Sequence, residues 1–358
     1  MRPLPDLITD PVYKNPSHLT IYEKFWVKRI HDKRDLPFVR LLTIVHLAIL
    51  PVAMLLFTPV FGKWWWPVAI VYFYFSQFYF KGSFGLMLHC LCHRKFFRRE
   101  KFFNRYLFWC VCPLFGHLGD SYHVHHMGMH HVENNMPTDA SSTMGYARDS
   151  FRSFMSYWLR FMFLGLHDTF LYLLRRKRKK MCRRVTVSEI GFVVIVTGLC
   201  FVNLKATLMV LIIPFVFARF VMMLGNWTQH AFVDPNEPEN DFASNIICLN
   251  TSYNHKCWND GYHAIHHIRP GAHYTELPGI FKQMLPSFKT HRTFIFEKIH
   301  YLHIFTYLMF KRYDKLASYM VNVQESFSDK NEAIALLKSR TKKFNLQTFV
   351  ESGNHVKN

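Results

Sequence analysis

SEIGFVVIVTGLCFVNLKATLMVLIIPFVFARFVMMLG, residues 188–225, is an almost unbroken apolar segment. Its main interruption is Asn203-Leu204-Lys205, near the middle. About 20 apolar residues in a helix cross the hydrocarbon core of a bilayer. The segment is therefore long enough for two spans joined by a tight turn near Lys205, and it predicts a membrane protein rather than a soluble protein with an apolar core.

A second apolar region lies nearer the N-terminus. Residues 38–60 have the length of one span, and Gly62-Lys63 forms a short break. The next three residues, at 64–66, are all tryptophan, a residue type that is enriched at membrane interfaces. A further apolar run continues to about Leu88. Together the two regions predict an all-α integral membrane fold with four transmembrane helices in two hairpins.

The charge of the chain favours one orientation. Lys and Arg number 44 against 24 Asp and Glu, a formal charge of +20. Residues 175–184 are strongly basic and lie beside apolar segments, which is typical of cytosolic anchoring against anionic lipid. We therefore expect no nucleic-acid partner and a multi-pass protein with its site on the cytosolic side. The membrane would be the endoplasmic reticulum in a eukaryote or the inner membrane in a bacterium.

Three domains follow from this topology. Residues 1–37 are predicted to be a polar cytosolic N-terminal segment, residues 38–287 a membrane domain carrying the site, and residues 288–358 a cytosolic helical segment. The regions 89–187 and 226–358 would share the cytosolic side and form a helical cap beneath the spans.

Histidines form three short motifs at or just beyond the ends of the predicted spans. They are His89-xxx-His93, His126-xxx-His130-His131 and His263-xx-His266-His267. Residues i and i+4 of a helix lie on one face, so the two imidazoles of the first motif can reach one metal or a metal pair. The second motif repeats this spacing at His126 and His130. In the third motif, His263 and His266 are i and i+3 on one face, and His267 is the adjacent ring.

Any one motif alone is weak evidence for a metal site, since an isolated histidine pair is often structural or solvated. The three together offer eight imidazoles, which is too many for one tetrahedral zinc but fits two metals with open positions. Imidazole suits iron, zinc and copper. The sequence therefore predicts a metal centre.

Taken together, the motifs HxxxH, HxxxHH and HxxHH resemble those of the membrane fatty-acid desaturase and hydroxylase superfamily. Asn226-Trp227-Thr228-Gln229-His230 is similar to the NxxxH of acyl-CoA desaturases. The resemblance covers roughly residues 40–275. It implies two iron ions held by histidine side chains, with Asn226 acting through a water. The implied metal set is His89, His93, His126, His130, His131, Asn226, His230, His263, His266 and His267.

These residues do not decide between the desaturases and the hydroxylases of the superfamily. Three residues separate His126 from the following histidine pair, where many desaturases have two, and the stretch after that pair is somewhat similar to alkane hydroxylases. His123 and His125 could be ligands in another register, and His255 and His273 are interpreted as supporting residues. Carboxylates near the motifs could orient histidine rings; they are Asp120, Glu133, Asp139 and, as the best candidate, Asp260.

The resemblance implies an O2-dependent oxidoreductase that desaturates a long alkyl chain on a membrane lipid or acyl-CoA, with hydroxylation as the alternative. No HPGG haem motif and no GxGxxG motif after a predicted strand is present. Electrons are therefore expected from a separate donor such as cytochrome b5, or ferredoxin with its reductase. A histidine-rich metal transporter is the rival from another class, but transporters place ionisable ligands within their spans. Here the predicted spans contain almost no such ligands, with His46 as the exception, and the complete motif set disfavours an inactive scaffold.

Overall fold

The computed structural model describes residues 1–345, apart from the side chains of Glu100 and Lys101. Residues 346–358 of the predicted C-terminal segment lie outside this range. The described residues are helical apart from one small sheet, and the chain divides into two compact units. Unit 1 comprises Met1–Val12, Met129–Asp168 and the described chain from Val221 onward; unit 2 comprises Tyr13–Gly128 and Thr169–Phe220.

The first half of the chain contains helices α1 to α8. Short π and 3-10 turns extend several of them: Val45–Ile49, Pro59–Trp64, Phe75–Tyr79, Leu107–Val111, Cys112–Phe115 and His126–His130. The α-helices are α1 (Ile21–Val27), α2 (Leu36–Ile44), α3 (Leu50–Leu55), α4 (Trp65–Tyr74), α5 (Lys81–His93), α6 (Glu100–Tyr106), α7 (Gly119–His125) and α8 (His131–Glu133).

The second half contains two long helices followed by shorter elements. They are α9 (Phe151–Arg175), α10 (Lys179–Thr207), the π turn Leu208–Ile212, α11 (Ile213–Gln229), α12 (Asp241–Ser244), β1 (Ile247–Leu249), α13 (Ser252–Lys256), α14 (His263–Ile268), α15 (Leu277–Gln283), α16 (Leu285–Thr290), β2 (Ile295–Glu297), α17 (Tyr301–Met309), α18 (Tyr313–Tyr319), the 3-10 turn Val323–Glu325 and α19 (Lys330–Arg340).

Two helical stretches of the described chain are long and apolar enough to cross a membrane, Lys33–Leu55 and Lys179–Gln229. The second stretch is interrupted at Asn203, whose backbone is not helical (φ −157°, ψ 96°). Phe192 and Phe215 lie on either side of it and their ring centroids are 4.9 Å apart. A straight helix would separate residues 23 positions apart by about 35 Å. The chain therefore doubles back at Asn203, as the Asn203-Leu204-Lys205 interruption predicted.

The predicted second span, from Trp64 to Leu88, is divided in the structure. Phe80 lies in a bend between the π turn Phe75–Tyr79 and α5. Helix α5, at the end of the second apolar run, contacts α2, at the start of the first, so the chain folds back between the two runs. The helical fold and the two long apolar stretches are confirmed, whereas the arrangement of four spans with a cytosolic cap stays a prediction.

Unit 1 is built around a buried two-stranded sheet. Strands β1 and β2 pair in parallel, with Ile247 opposite Ile295 and Leu249 opposite Glu297. Helices α17, α18 and α19 cover the strands with apolar side chains, among them Leu308, which is fully buried. The sheet fixes the loop that precedes α14, and α14 carries the third histidine motif.

Candidate metal centre

Four histidines of unit 1 converge on one point. They are His130, His230, His263 and His267, and their candidate ligand nitrogens all lie within 4.8 Å of one another. His130 ends the π turn that precedes α8, and His230 directly follows α11. His263 and His267 lie one turn apart on α14. We call this set the four-histidine cluster.

A buried carboxylate fixes the orientation of His130. Its Nδ1 lies 2.7 Å from Oδ2 of Asp139, whose side chain is fully buried. The other carboxylate oxygen of Asp139 accepts hydrogen bonds from the backbone N–H and the hydroxyl of Ser141, at 2.8 and 2.7 Å. Because a carboxylate holds the proton on Nδ1, the Nε2 of His130 keeps its lone pair for a metal ion.

The most informative atom of the cluster is Nε2 of His267. It is buried, and no group in the described chain hydrogen-bonds to it. Its Nδ1 lies 3.7 Å from Oδ1 of Asp241, which Asn134 and Asn245 hold in place. Buried polar atoms nearly always have a partner, so an atom of this kind indicates a ligand site.

The electrostatics of the cluster favour the neutral form of two of its imidazoles, His230 and His267. Burial lowers the pKa of His267 well below its usual value, and the neighbouring His263, His131, His230 and His130 lower it further. Burial, and then His130, likewise lower the pKa of His230. Neutral imidazole is the form that binds metal, so no proton has to leave these two rings at pH 7.

The distances between paired nitrogens fit a shared cation. The Nε2 atoms of His230 and His263 are 3.2 Å apart, and those of His131 and His266, a further pair in unit 1, are 3.0 Å apart. Ligand bonds of about 2.1 Å in tetrahedral or octahedral geometry place neighbouring donors about 3.0–3.4 Å apart. The residues present therefore fit transition-metal binding.

Unit 2 holds a three-histidine cluster formed by His89, His93 and His126. Their candidate ligand atoms also lie within 4.8 Å of one another, and the Nε2 atoms of His93 and His126 are 2.8 Å apart. The Tyr122 ring stacks on His126 with an interplanar angle of 6°. The i,i+4 spacing on α5 thus brings His89 and His93 together, as the first motif predicted.

The histidines of the other two motifs are divided between different groups. His126 belongs to the three-histidine cluster, whereas His130 belongs to the four-histidine cluster. The chain between them is a π turn, whose extra residue per turn changes the direction of the second side chain. In the third motif, His263 shares its cluster with His267 at i+4 rather than with His266 at i+3.

Asn226 lies beside the four-histidine cluster on α11. Its Nδ2 donates to the carbonyl oxygen of Ser141 at 2.8 Å and to the Tyr157 hydroxyl at 2.7 Å. Ser141 also binds Asp139, so Asn226 is linked to the carboxylate that orients His130. Its action through a water stays a prediction.

The supporting carboxylates match the expected ones in part. Asp139 contacts a cluster histidine, whereas the expected best candidate, Asp260, accepts from the Tyr253 hydroxyl at 2.8 Å and from Gln229 at 3.3 Å. Asp241 was missed because nothing in its local sequence links it to His267.

Two other predicted carboxylates contact polar side chains near them. Asp120 is bonded to Arg184 and to Nε1 of Trp109. Glu133 accepts a hydrogen bond from the Thr138 hydroxyl. In both cases the contact ties together segments of a single unit.

The remaining histidines lie outside the metal-competent groups of the described chain, which include neither His123 nor His125. His46 is bonded through both ring nitrogens, to the Leu42 carbonyl at 2.6 Å and the Tyr106 hydroxyl at 2.8 Å. His273 is buried and bonded to Thr275, and His255 is exposed. His46, which lies within a predicted span, is thus a structural histidine.

Comparison with protein families gives one decisive match. The family model described as "Fatty acid desaturase" matches residues 63–298, about two thirds of the chain. The chain belongs to the fatty acid desaturase family. Searches of curated proteins and of solved structures give no significant match.

Membership of the desaturase family explains the histidine chemistry. The matched region contains all nine clustered histidines and Asn226. The desaturase family comprises oxidoreductases of the fatty-acid desaturase and hydroxylase type. With the two long apolar stretches, it identifies this desaturase-family chain as a membrane protein with a metal site.

Proposed function

We propose that this chain is a membrane-bound, O2-dependent, non-haem di-iron enzyme that introduces a double bond into a long fatty-acyl chain. The observation that carries the proposal is the buried Nε2 of His267, which has no hydrogen-bond partner in the described chain and lies within a cluster of four imidazoles. Such an atom is costly unless it binds a ligand, and a metal ion is the ligand that four converging imidazoles recognise.

The two histidine clusters would hold one ion each. The four-histidine cluster would bind the first and the three-histidine cluster the second, with His131 and His266 as further nitrogen donors in unit 1. Iron held in this way, supplied with O2 and two electrons, provides an oxidant able to remove hydrogen from an unactivated C–H bond.

The chain's own residues prepare this chemistry. Asp139 keeps the Nε2 lone pair of His130 directed at the ion, and burial keeps His230 and His267 neutral and shielded from water. No acid or base is needed for the first hydrogen abstraction, which agrees with a donor set composed almost wholly of imidazole.

A cavity in unit 2 supports an alkyl substrate. It has a volume of about 220 Å³ and lies between helices of this unit. Its walls are almost entirely apolar and include Phe57, Phe108, Phe192, Leu199 and Leu211. An acyl chain suits such walls, because methylene groups gain about 0.8 kcal/mol each when they leave water.

The finer topology is also proposed. Four spans, a cytosolic site and delivery of electrons by cytochrome b5 or ferredoxin with its reductase fit the basic segment at 175–184, which could attract an acidic donor. The substrate would be a membrane lipid or an acyl-CoA.

Lipid mass spectrometry on cells expressing the protein tests the reaction. We expect acyl chains two mass units lighter than their precursors, produced by the wild type and by His255→Ala but not by His130→Ala. His255→Ala is the matched control, because it removes an exposed histidine outside the clusters. Lipids that do not differ between wild type and His130→Ala would contradict the proposal.

Hydroxylation is the second candidate, favoured by the second motif's three-residue spacing before its histidine pair. The same experiment under labelled O2 separates the two. Oxygen retained on the acyl chain indicates a hydroxylase, whereas an unlabelled alkene indicates a desaturase.

A further inference from the structure

The N-terminal residues of unit 1 form an ordered segment bound to the loop before α14. The backbone of Arg2 pairs with Met320 and Asn322, and its side chain contacts Glu297 at 3.0 Å. Near the other end of the segment, the backbone N–H of Thr9 donates to Oδ1 of Asn250 at 2.8 Å. We call residues 1–12 the N-terminal strap.

Asp10 is the buried anchor of this strap, with 3% of its surface exposed. One carboxylate oxygen accepts from the backbone N–H of Asn250 at 2.8 Å and the Tyr262 hydroxyl at 2.7 Å. The other accepts from the backbone N–H of Thr251 at 3.3 Å and Nδ2 of Asn254 at 3.0 Å. The Asp10 carboxylate therefore hydrogen-bonds to residues at both ends of the loop 250–262.

The loop leads directly into the four-histidine cluster. Tyr262 is fully buried, immediately precedes His263 and is the N-cap residue of α14. Its hydroxyl is fixed by Asp10, so the start of α14 is fixed through the same bond. His263 and His267 are carried on that helix.

A second connection runs through Asn254. This side chain binds Asp10 through Nδ2 and accepts from the backbone N–H of Gly261 at 3.0 Å through Oδ1. The fit is close, because a Cβ on Gly261 would lie 2.4 Å from Oδ1 of Asn254. Trp258 and Asn259, in the same loop, have left-handed backbone angles (φ 54° and 57°), which the loop keeps only if its contacts hold.

The strap supplies one further bond. Nδ2 of Asn259 donates to the carbonyl oxygen of Pro11 and to that of Tyr274, both at 2.7 Å. The left-handed turn is thus fastened to the strap at the residue next to Asp10.

We propose that Asp10 is a positioning residue for the metal centre: through Tyr262 and Asn254 it sets the place of α14, and with it the two ligands His263 and His267. This inference rests on the proposed function, since it requires that the four-histidine cluster binds iron. Asp10 lies 253 positions before His263 in sequence (263 − 10) and touches the cluster only through the loop.

Iron extraction from the purified full-length protein tests the proposal. In Asp10→Asn an amide N–H₂ replaces one oxygen that now accepts two hydrogen bonds. We expect a competing chelator to remove one of two irons about tenfold faster than in the wild type, since changes behind a ligand weaken metal binding by about 10–100-fold. The second iron, in the three-histidine cluster, should leave at the wild-type rate.

Asp6→Asn is the matched control, because it makes the same chemical change at an exposed position of the strap. It should behave as the wild type. Two results for Asp10→Asn would overturn the positioning role. Either both irons leave at equally raised rates, or both leave at the wild-type rate. If that variant does not fold, Tyr262→Phe is judged by the same two outcomes, because it removes only the bond from the Tyr262 hydroxyl to Asp10 and leaves the other three bonds between Asp10 and the loop. A wild type that binds no iron instead contradicts the proposed function itself.

Discussion

Arg148 is the residue of unit 1 whose replacement has the most calculable effect. Its guanidinium is fully buried and its donors face backbone carbonyls. Nε donates to Ala231 at 3.0 Å, Nη1 to Thr143 and Tyr146 at 3.2 and 3.1 Å, and Nη2 to Arg340 and Lys342 at 2.8 and 2.7 Å. One side chain thus joins three separate segments, one of them directly after His230.

Arg148→Lys keeps the charge but offers three donors where five N–H groups now act. At least two buried carbonyls lose their partners, and each unsatisfied group costs about 1–3 kcal/mol. We therefore expect a loss of about 2–6 kcal/mol in the free energy of unfolding, a large part of the 5–15 kcal/mol typical of folded domains.

Thermal unfolding of the detergent-solubilised protein measures this loss. Arg152→Lys is the matched control, because Arg152 is exposed and should tolerate the change. If Arg148→Lys and Arg152→Lys unfold at the same temperature, the carbonyls around residue 148 find other donors. That result would contradict the predicted loss of stability.

Three further predictions concern the cluster and its packing. Asp139→Asn should weaken iron binding about 10–100-fold, because the amide no longer fixes the proton on His130 Nδ1; iron titration measures it, and unchanged affinity would contradict the assignment. The metal-free protein should keep its stability above pH 6.5 and lose it as the pH falls below that value. Burial lowers the pKa of His267 beneath its usual 6.5, so the unfolded chain is protonated first; an unfolding temperature that stays flat between pH 7.5 and 5 would refute this. Gly116→Ala should impair folding, since its φ is 74° and a Cβ would lie 1.9 Å from a backbone oxygen, whereas Gly198→Ala meets nothing within 4 Å; equal yields of the two variants would count against the packing described.

The parts of the fold that depend on local sequence could be predicted. Hydrophobic length is a local property, so residues 188–225 predicted two antiparallel helical arms, and the polar interruption predicted the turn that the structure places at Asn203.

The membership of the site could be predicted, but its internal arrangement could not. Histidines at short spacing indicated a metal centre, and the structure groups nine of them into two clusters and a pair. Which histidine joins which cluster depends on the π turn between His126 and His130, and periodicity arguments assume a regular helix. Asp241 and Asp10 act over long sequence separations, where spacing carries no information.

Iron content of the purified protein tests the central claim most directly, measured on the wild type, His267→Ala and the control His255→Ala. The metal centre described here predicts about two irons per chain in the wild type and in His255→Ala. In His267→Ala we expect about one, because the four-histidine cluster loses the ligand whose Nε2 has no other partner in the described chain. Equal iron content in all three proteins, or no iron in the wild type, would contradict it.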